Sequence, residues 1–354
     1  MSVTIKEIAR RTGLSVPTVG NVLGRAAARY SETTRQRVYE AAREMGYRPN
    51  ASARAMRQGR IGSAALILSR SKQNTHSHIP AGLLDGLDDE LAKHDMHLSV
   101  SRLSDEELSR GDFIPKVLSQ YMADGMIVNY THDVPPAMVE LIHAHHTPAV
   151  WLNARMPEDC VYPDDRAAAR SATEELIRLG HRRIALVHLI PSNYFSGTFE
   201  ENRSRLHYSV HDRRDGYAEA MIAAGLSPRV AHHDRFVDEP EQLAVCRQLL
   251  SGPERPTALL VYSEHEVSIP LCAAAGLGLS VPRDLSVLVF APAEPWAGGK
   301  RVSAVRVPTA EMGRRAVRML LKKIVTPERV CPPEVVPYAA VLGETVAAAP
   351  PESQ

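Results

Sequence analysis

From about residue 61 to residue 340, short unbroken apolar runs alternate with segments of helical periodicity, and this alternation narrows the fold more than any other feature. The runs lie at 64–68, 125–129, 148–153, 184–189, 257–262, 285–290 and 302–307. A strand buried on both faces reads as such a continuous run, as strands of parallel sheets do. Helical patterns separate most of them, at 79–93, 135–145, 166–179, 213–224, 240–250, 266–275 and 309–324. In the first of these, Leu83, Leu84, Leu87 and Leu91 share one face. Strand and helix alternating in this way predict an α/β architecture with parallel sheets and right-handed crossovers. The chain has 354 residues, 44% of them hydrophobic, enough to bury such a core. No stretch approaches ~18 consecutive apolar residues, and no charged segment leads into an apolar run after Met1, so neither a membrane span nor a secretory signal is expected.

The net charge of +1 conceals an asymmetry. Residues 1–60 carry 12 Lys or Arg against four Glu, a net of +8, and the remainder a net of −7. A cationic head on an acidic body predicts a polyanionic partner for the head. Thr4 caps a first helix over 4–11, where Glu7 completes a capping box and Ile5, Ile8 and Ala9 form an apolar stripe. Gly13 ends that helix. Ser15 then caps a second, with Pro17 in its first turn and Val19, Val22 and Leu23 facing inward. Ser31 caps a third over 32–45, with Val38, Ala41, Ala42 and Met45 inward. Two short helices about a glycine turn are a helix-turn-helix signature, in which the start of the second helix meets base edges in the major groove. The few apolar residues are needed for the small core and leave no broad face for lipid. The expected partner is double-stranded DNA.

The head resembles that of the lactose-repressor family of bacterial transcription regulators. The likeness rests on Thr4-Ile5-Lys6-Glu7-Ile8-Ala9, Gly13-Leu14-Ser15-Val16, Thr18-Val19, Val22-Leu23, Ser31 with Thr34-Arg35, Val38, Ala41-Ala42 and Gly46-Tyr47-Arg48-Pro49-Asn50. Residues 1–49 are then the DNA-binding domain and 50–60 a hinge helix or linker, with Ala53-Arg54-Ala55-Met56 similar to the family's hinge. The resemblance implies Ser15 and Thr18 on phosphates and Val16, Pro17 and Asn21 facing bases. It places Tyr47 and Asn50 near the DNA backbone and Met56 in the minor groove, and adds Thr4, Ser31, Thr34, Arg35 and Ala53 to the interface. Gly20-Asn21 departs from the family's usual Ser-Arg, and an Asn amide suits adenine rather than guanine. Residues 50–60 are too few for a stable isolated helix, so the hinge is expected to order on DNA.

The body resembles the same family's two-lobed effector domain, which is similar to periplasmic sugar-binding proteins. The carriers include Gly86, Asp124-Gly125, Pro148, Asp164, Leu179-Gly180-His181-Arg182-Arg183-Ile184-Ala185, Arg213-Arg214-Asp215-Gly216-Tyr217 and Val281-Pro282-Arg283-Asp284-Leu285-Ser286-Val287. The resemblance implies an effector-binding and dimerisation domain over 61–343. Its first lobe comprises about 61–160 and 291–323, its second about 161–290 and 324–343, and 344–354 form a flexible tail. A ligand pocket is expected between the lobes, at the carboxyl ends of the strands. Position and family pattern together point to Ser69, Arg70, Asn129, Asp164, Asn193, Tyr194, Arg213, Glu264 and Trp296. Arg213, at a strand-to-helix boundary, is expected to fork ligand oxygens, and Glu264 to accept from a hydroxyl. Trp296 offers either a stacking wall or a core contact. The long segment 190–212 reads as a lid or pocket wall, or as a surface insertion. Ala291 stands where the family usually has an acid, which, with the basic residues of that segment, tilts the effector toward something larger or more acidic than a plain hexose. The effector is expected to be a sugar or sugar derivative, with a neutral sugar as the alternative and purines, other ligands or none behind it.

No catalytic pattern is present: neither a phosphate-binding glycine fingerprint, nor Gly-x-Ser-x-Gly, nor His-Glu-x-x-His. Cys160, Cys246, Cys272 and Cys331 have neither disulfide nor metal spacing, and His143, His145 and His146 do not converge on a helix. Neither cofactor nor metal is expected. The sequence reads as a ligand-responsive DNA-binding regulator, cytoplasmic and nucleoid-associated, acting as a homodimer on a near-palindromic operator. Repression of catabolic or transport genes is the leading reading, with activation, and more remotely solute binding, as alternatives.

Overall fold

The computed structural model describes residues 3–24, 26–48, 59–70, 79–104, 120, 122–130, 134–189, 206–231, 238–341 and 343–351, with the backbone alone at Arg70, Ala340 and Val341. Residues up to Ile61 form one compact unit and those from Gly62 a second.

In the first unit, α1 (Ile5–Thr12), α2 (Val16–Val22) and α3 (Glu32–Glu44) have the caps that the sequence predicts. The Thr4 side chain accepts from the Glu7 amide while the Glu7 carboxylate accepts from the Thr4 amide at 2.7 Å. Ser15 and Ser31 accept from the amides of Thr18 and Thr34 in the same way. Gly13 ends α1 at φ +63°, a left-handed conformation that lets the chain turn directly into the second helix. Ile8, Ala9, Val19, Val22, Val38, Ala41 and Ala42 form the core. The described α1, α2 and α3 together build it, each contributing one apolar stripe.

The second unit is two parallel sheets, each doubly wound. The first contains β1 (Ser63–Arg70), β2 (His97–Ser104), β3 (Gly125–Asn129), β4 (Ala149–Leu152), β5 (Cys160–Pro163) and β13 (Glu334–Val336), in the order β13-β5-β4-β3-β1-β2. The second contains β6 (Ile184–Val187), β7 (Arg229–Ala231), β8 (Ala258–Val261), β9 (Ser286–Ala291), β12 (Ser303–Arg306) and β14 (Ala339–Val341), in the order β14-β12-β9-β8-β6-β7. All pairings within them are parallel except β12 with β14. Trp296–Ala297 (β10) and Lys300–Arg301 (β11) form a separate hairpin.

Helices cover both faces of each sheet. Against the first pack α4 (Leu83–Ala92) and α10 (Thr309–Val325) on one side, and α5 (Pro136–Ala144) on the other. Against the second pack α6 (Asp165–Arg178) and α7 (Tyr208–Ala223) on one side, and α8 (Glu239–Leu250) with α9 (Ser268–Gly276) on the other. Gly86 of α4 is required by close approach, since a Cβ there would lie 2.0 Å from the Ala310 carbonyl oxygen of α10.

Three expectations need correction. The lobe limits shift: β12 pairs with β9 and belongs to the second lobe, whereas β13 pairs with β5 and belongs to the first. The chain still crosses three times, but after Pro163, after Arg306 and after Val336, because backbone pairing rather than apolar pattern assigns these short strands. Second, α7 starts at Tyr208, not near 213, with His207 as its cap, so Arg213 lies inside the helix. Third, the segment from 344 is not a flexible tail through its described part. Thr345 is fully buried, its carbonyl accepts from Val287 N–H at 2.7 Å, and Ala349 N–H donates to Leu179 O at 2.9 Å. This strap lies across the second lobe.

Candidate functional site

In the head, the N-terminal end of α2 is capped yet open. Ser15, Val16, Pro17 and Asn21 are exposed, with Val16 at 43%. The Ser15 and Thr18 hydroxyls lie 2.8 Å apart, and Ser31 and Thr34 make the matching pair at 2.9 Å on α3. Each helix start thus presents a pair of hydroxyls at the positive end of its helix, an arrangement that favours phosphate oxygens. Asn21 donates its amide to the Tyr30 hydroxyl at 3.0 Å, which fixes the side-chain orientation on the exposed face. Sequence reasoning missed Tyr30, because the contact forms across the turn between α2 and α3. Arg35 pairs with Glu32, and Tyr47 is half-buried against the head core. Thr4 is exposed but engaged in its capping box. Asn50, Ala53 and Met56, and with them the proposed hinge, lie outside the described residues.

In the body, several of the remaining candidates gather at the carboxyl ends of the two sheets. From the first lobe, Ser69 is buried at the end of β1, and Asn129, 1% exposed, ends β3. The Asn129 Nδ2 is buried without a hydrogen-bond partner. Asn129 pairs with Leu152, and the next residue, Asn153, meets the second lobe: its carbonyl accepts from His207 Nε2–H at 2.7 Å. Arg155 then reaches Asp212 of α7, with its guanidinium 4.9 Å from the Tyr208 ring centroid and 5.5 Å from that of Tyr162. Burial holds the Asp212 carboxyl above the ordinary range despite Arg155.

Arg213 is the centre of the second lobe's side. It is 8% exposed and lies between the rings of Tyr262 and Phe290, at 4.7 and 4.3 Å. Its Nε donates to Asp165 Oδ1 at 2.7 Å, Nη1 to Tyr262 O, and Nη2 to the Tyr338 hydroxyl at 3.1 Å. Tyr338 in turn donates to Asp165 Oδ1 at 2.6 Å. Burial works against the Arg213 charge, but Asp165 and the tyrosine oxygens hold it firmly protonated. Burial also pushes the Tyr262 hydroxyl up to about 12. Instead of an open fork for ligand oxygens, Arg213 is a cation already engaged by its own protein. Asp165 has a second oxygen, Oδ2, buried and unpartnered.

Asp164 differs from its neighbour: it caps α6, accepting from Ala167 N–H at 3.1 Å. Glu264 is half-buried. In the same loop Glu266 engages Leu189, Ser263 and His188; sequence reasoning missed it, as it missed Asp165, His188, Arg155 and Asp212. Trp296 is 68% exposed on the β10–β11 hairpin, with the Arg301 guanidinium 5.8 Å from its ring centroid, so the described residues build no enclosed stacking wall around it. Asn193 and Tyr194, with the segment 190–205, lie outside the described residues, as does the side chain of Arg70. Among the described residues no cluster of three or more His, Cys, Asp or Glu is placed to hold a metal ion, and no helix is long and apolar enough to cross a membrane.

Comparison with known proteins bears on both units. The family described as bacterial regulatory proteins, lacI family, matches residues 4–50, and the periplasmic binding protein-like domain matches residues 173–346. The HTH-type transcriptional regulator RafR of Escherichia coli is 30% identical over 265 residues, covering 74% of this chain and 73% of the relative. Among solved structures, the lac repressor dimer bound to operator and the anti-inducer ONPF superposes with a TM-score of 0.72 at 20% identity, covering 98% of this chain and 100% of that one. The complex of the transcriptional regulator CelR with cellobiose gives 0.62 at 23% identity, over 97% and 99%. At these identities the two structures share the fold with this chain.

Proposed function

The chain belongs to the lacI family of bacterial regulatory proteins and is a DNA-binding transcription regulator; from that premise we propose that it is a repressor that binds a near-palindromic operator as a homodimer and is controlled by a neutral, hydroxyl-rich effector between its lobes. The observation that carries the DNA half is the capped, open start of α2. Ser15 and Thr18 are set there for phosphates, and Val16, Pro17 and Asn21 for base edges. One such head reads few base pairs, so two-fold symmetry supplies the second half-site. The lac repressor structure that shares this fold is a dimer on its operator.

The effector half rests on charge. Arg213 and Arg155, two of the described cations at the carboxyl ends of the sheets, are each engaged by an aspartate of α6 or α7. An anionic ligand would have to compete with those carboxylates, whereas a neutral sugar needs only hydrogen bonds. This reading sets aside the tilt toward an acidic ligand that the sequence suggests. Asn129 is the donor from the first lobe in this account, and Ser69 borders it. The regulator then works in the cytoplasm, on the nucleoid.

The experiment is a selection of duplexes from a random DNA library by the full chain, followed by titration of the selected duplex with neutral sugars and sugar acids. A palindromic consensus, released or tightened by a neutral sugar, is the expected result. A consensus without two-fold symmetry, or a response to sugar acids alone, would contradict it.

A further inference from the structure

We propose that His188 contacts the effector, its Nε2 accepting a hydrogen bond from a ligand hydroxyl, and that Glu266 fixes the ring tautomer that allows this. The inference rests on reading the carboxyl-end cleft as the effector site. His188 stands one residue beyond β6, with its ring 4.0 Å from the Tyr262 ring at the end of β8. Glu266, itself buried, faces it. Glu266 Oε2 accepts from Leu189 N–H at 2.7 Å. Glu266 Oε1 accepts from the Ser263 hydroxyl at 3.2 Å and lies 3.2 Å from His188 Nδ1. A carboxylate among three such neighbours acts as acceptor only, so in the neutral ring the His188 proton sits on Nδ1 and Nε2 is a bare lone pair.

That Nε2 is buried and has no hydrogen-bond partner. A buried acceptor without a donor destabilises a fold unless something supplies one. Two further unpartnered atoms lie at the same sheet ends: the acceptor Asp165 Oδ2 and the donor Asn129 Nδ2. Asp165 is joined to His188 through Arg213 and Tyr262. Two acceptors and one donor match a group that both donates and accepts, which is a hydroxyl. They do not match a carboxylate or phosphate, whose oxygens would meet the His188 lone pair and the Asp165 carboxylate. The chemical class is therefore a neutral polyol or sugar, and His188 selects for it.

Two measurements on the full chain test this. The first is a two-bond proton–nitrogen NMR spectrum of 15N-histidine-labelled protein, with His188→Gln for assignment. Protonated Nδ1 and bare Nε2 are expected in the parent, shifting toward the other tautomer in Glu266→Gln. A parent with the proton on Nε2 overturns the proposal. The second is calorimetric titration with cellobiose, D-ribose and gluconate. His188→Phe, which keeps a flat ring, should weaken a bound sugar roughly tenfold or more, and the Nε2 resonance of the parent should move on binding. Equal affinity in His188→Phe with an unmoved resonance overturns the contact and leaves the effector reading intact. If neither sugar binds the parent chain, the effector reading falls, and the contact with it.

Discussion

Single residues decide what the two sites read. Asn21 is held by Tyr30, so in the base-reading role proposed for Asn21 the pair is expected to act together. Asn21→Ala is expected to lose about 1–3 kcal/mol of discrimination at one base pair, and Tyr30→Phe to relax the same position by less. Binding to random DNA should be unchanged in both. Selection from a duplex library with each variant checks this, and relaxation at different positions would separate the two residues. Arg213 carries a different load. Removing it leaves Asp165 buried and uncompensated, so Arg213→Met should destabilise the chain by about 3–5 kcal/mol in urea unfolding. Arg213→Met with Asp165→Asn should recover much of that loss. The sequence made Arg213 conspicuous and left its partners unseen. Asp164 and Asp165 are adjacent and chemically identical, and only the helix start tells which one caps and which one is buried. His188 and Glu266 are 78 residues apart, and nothing local marks either. The place of Asn129 at the end of β3, by contrast, is legible because it closes the run 125–129.

At the scale of elements, legibility followed burial. Strands covered on both faces, such as β3, β8 and β9, announce themselves as continuous apolar runs. The edge strand β2 alternates polar and apolar residues, and β13 and β14 are three residues each, so neither pattern was separable from loop. The strap from Gly343 to Ala349 is rich in alanine and has no periodicity, yet it is sewn down. Thr345 Oγ1 donates to Val287 O at 2.7 Å and accepts from Ser303 N–H at 2.9 Å, while Ala347 O accepts from His181 Nε2–H at 3.1 Å. Truncation after Gly343 should therefore cost about 2–5 kcal/mol, at roughly 0.5–1.5 kcal/mol per hydrogen bond, read from the urea midpoint. His181 adds a pH dependence. Burial lowers its pKa, so in the window below about 6.5 the unfolded chain binds the proton more readily than the folded one. Stability is full above that window and is lost as pH falls through the lowered value. His181→Gln should lower the plateau and flatten this acid limb, which unfolding curves at several pH values would reveal.

Across the second unit, the described contacts between the two lobes include Arg155 with Asp212, Asn153 with His207 and Tyr208, and the Tyr162 ring edge-on to that of Tyr208. These contacts join β5 and the β4–β5 connection of one lobe to the start of α7 in the other, beside the three crossovers. Contacts of this kind beside the crossovers form a hinge that a bound ligand can bias. Arg155→Gln should widen the distribution of lobe orientations, seen as a larger radius of gyration in solution scattering. An unchanged scattering curve would assign the orientation to the crossovers instead. The exchange of β12 and β13 between lobes has a consequence for how the molecule comes into being. The first lobe lacks its outer strand until synthesis has passed Val336, and the second lacks both β14 and its strap until still later. Neither can close on the ribosome as an early, self-sufficient domain. The head, whose core comes entirely from the first 47 residues, is complete from the outset. During translation the cell therefore holds a finished DNA-binding module tethered to an unfinished sensor.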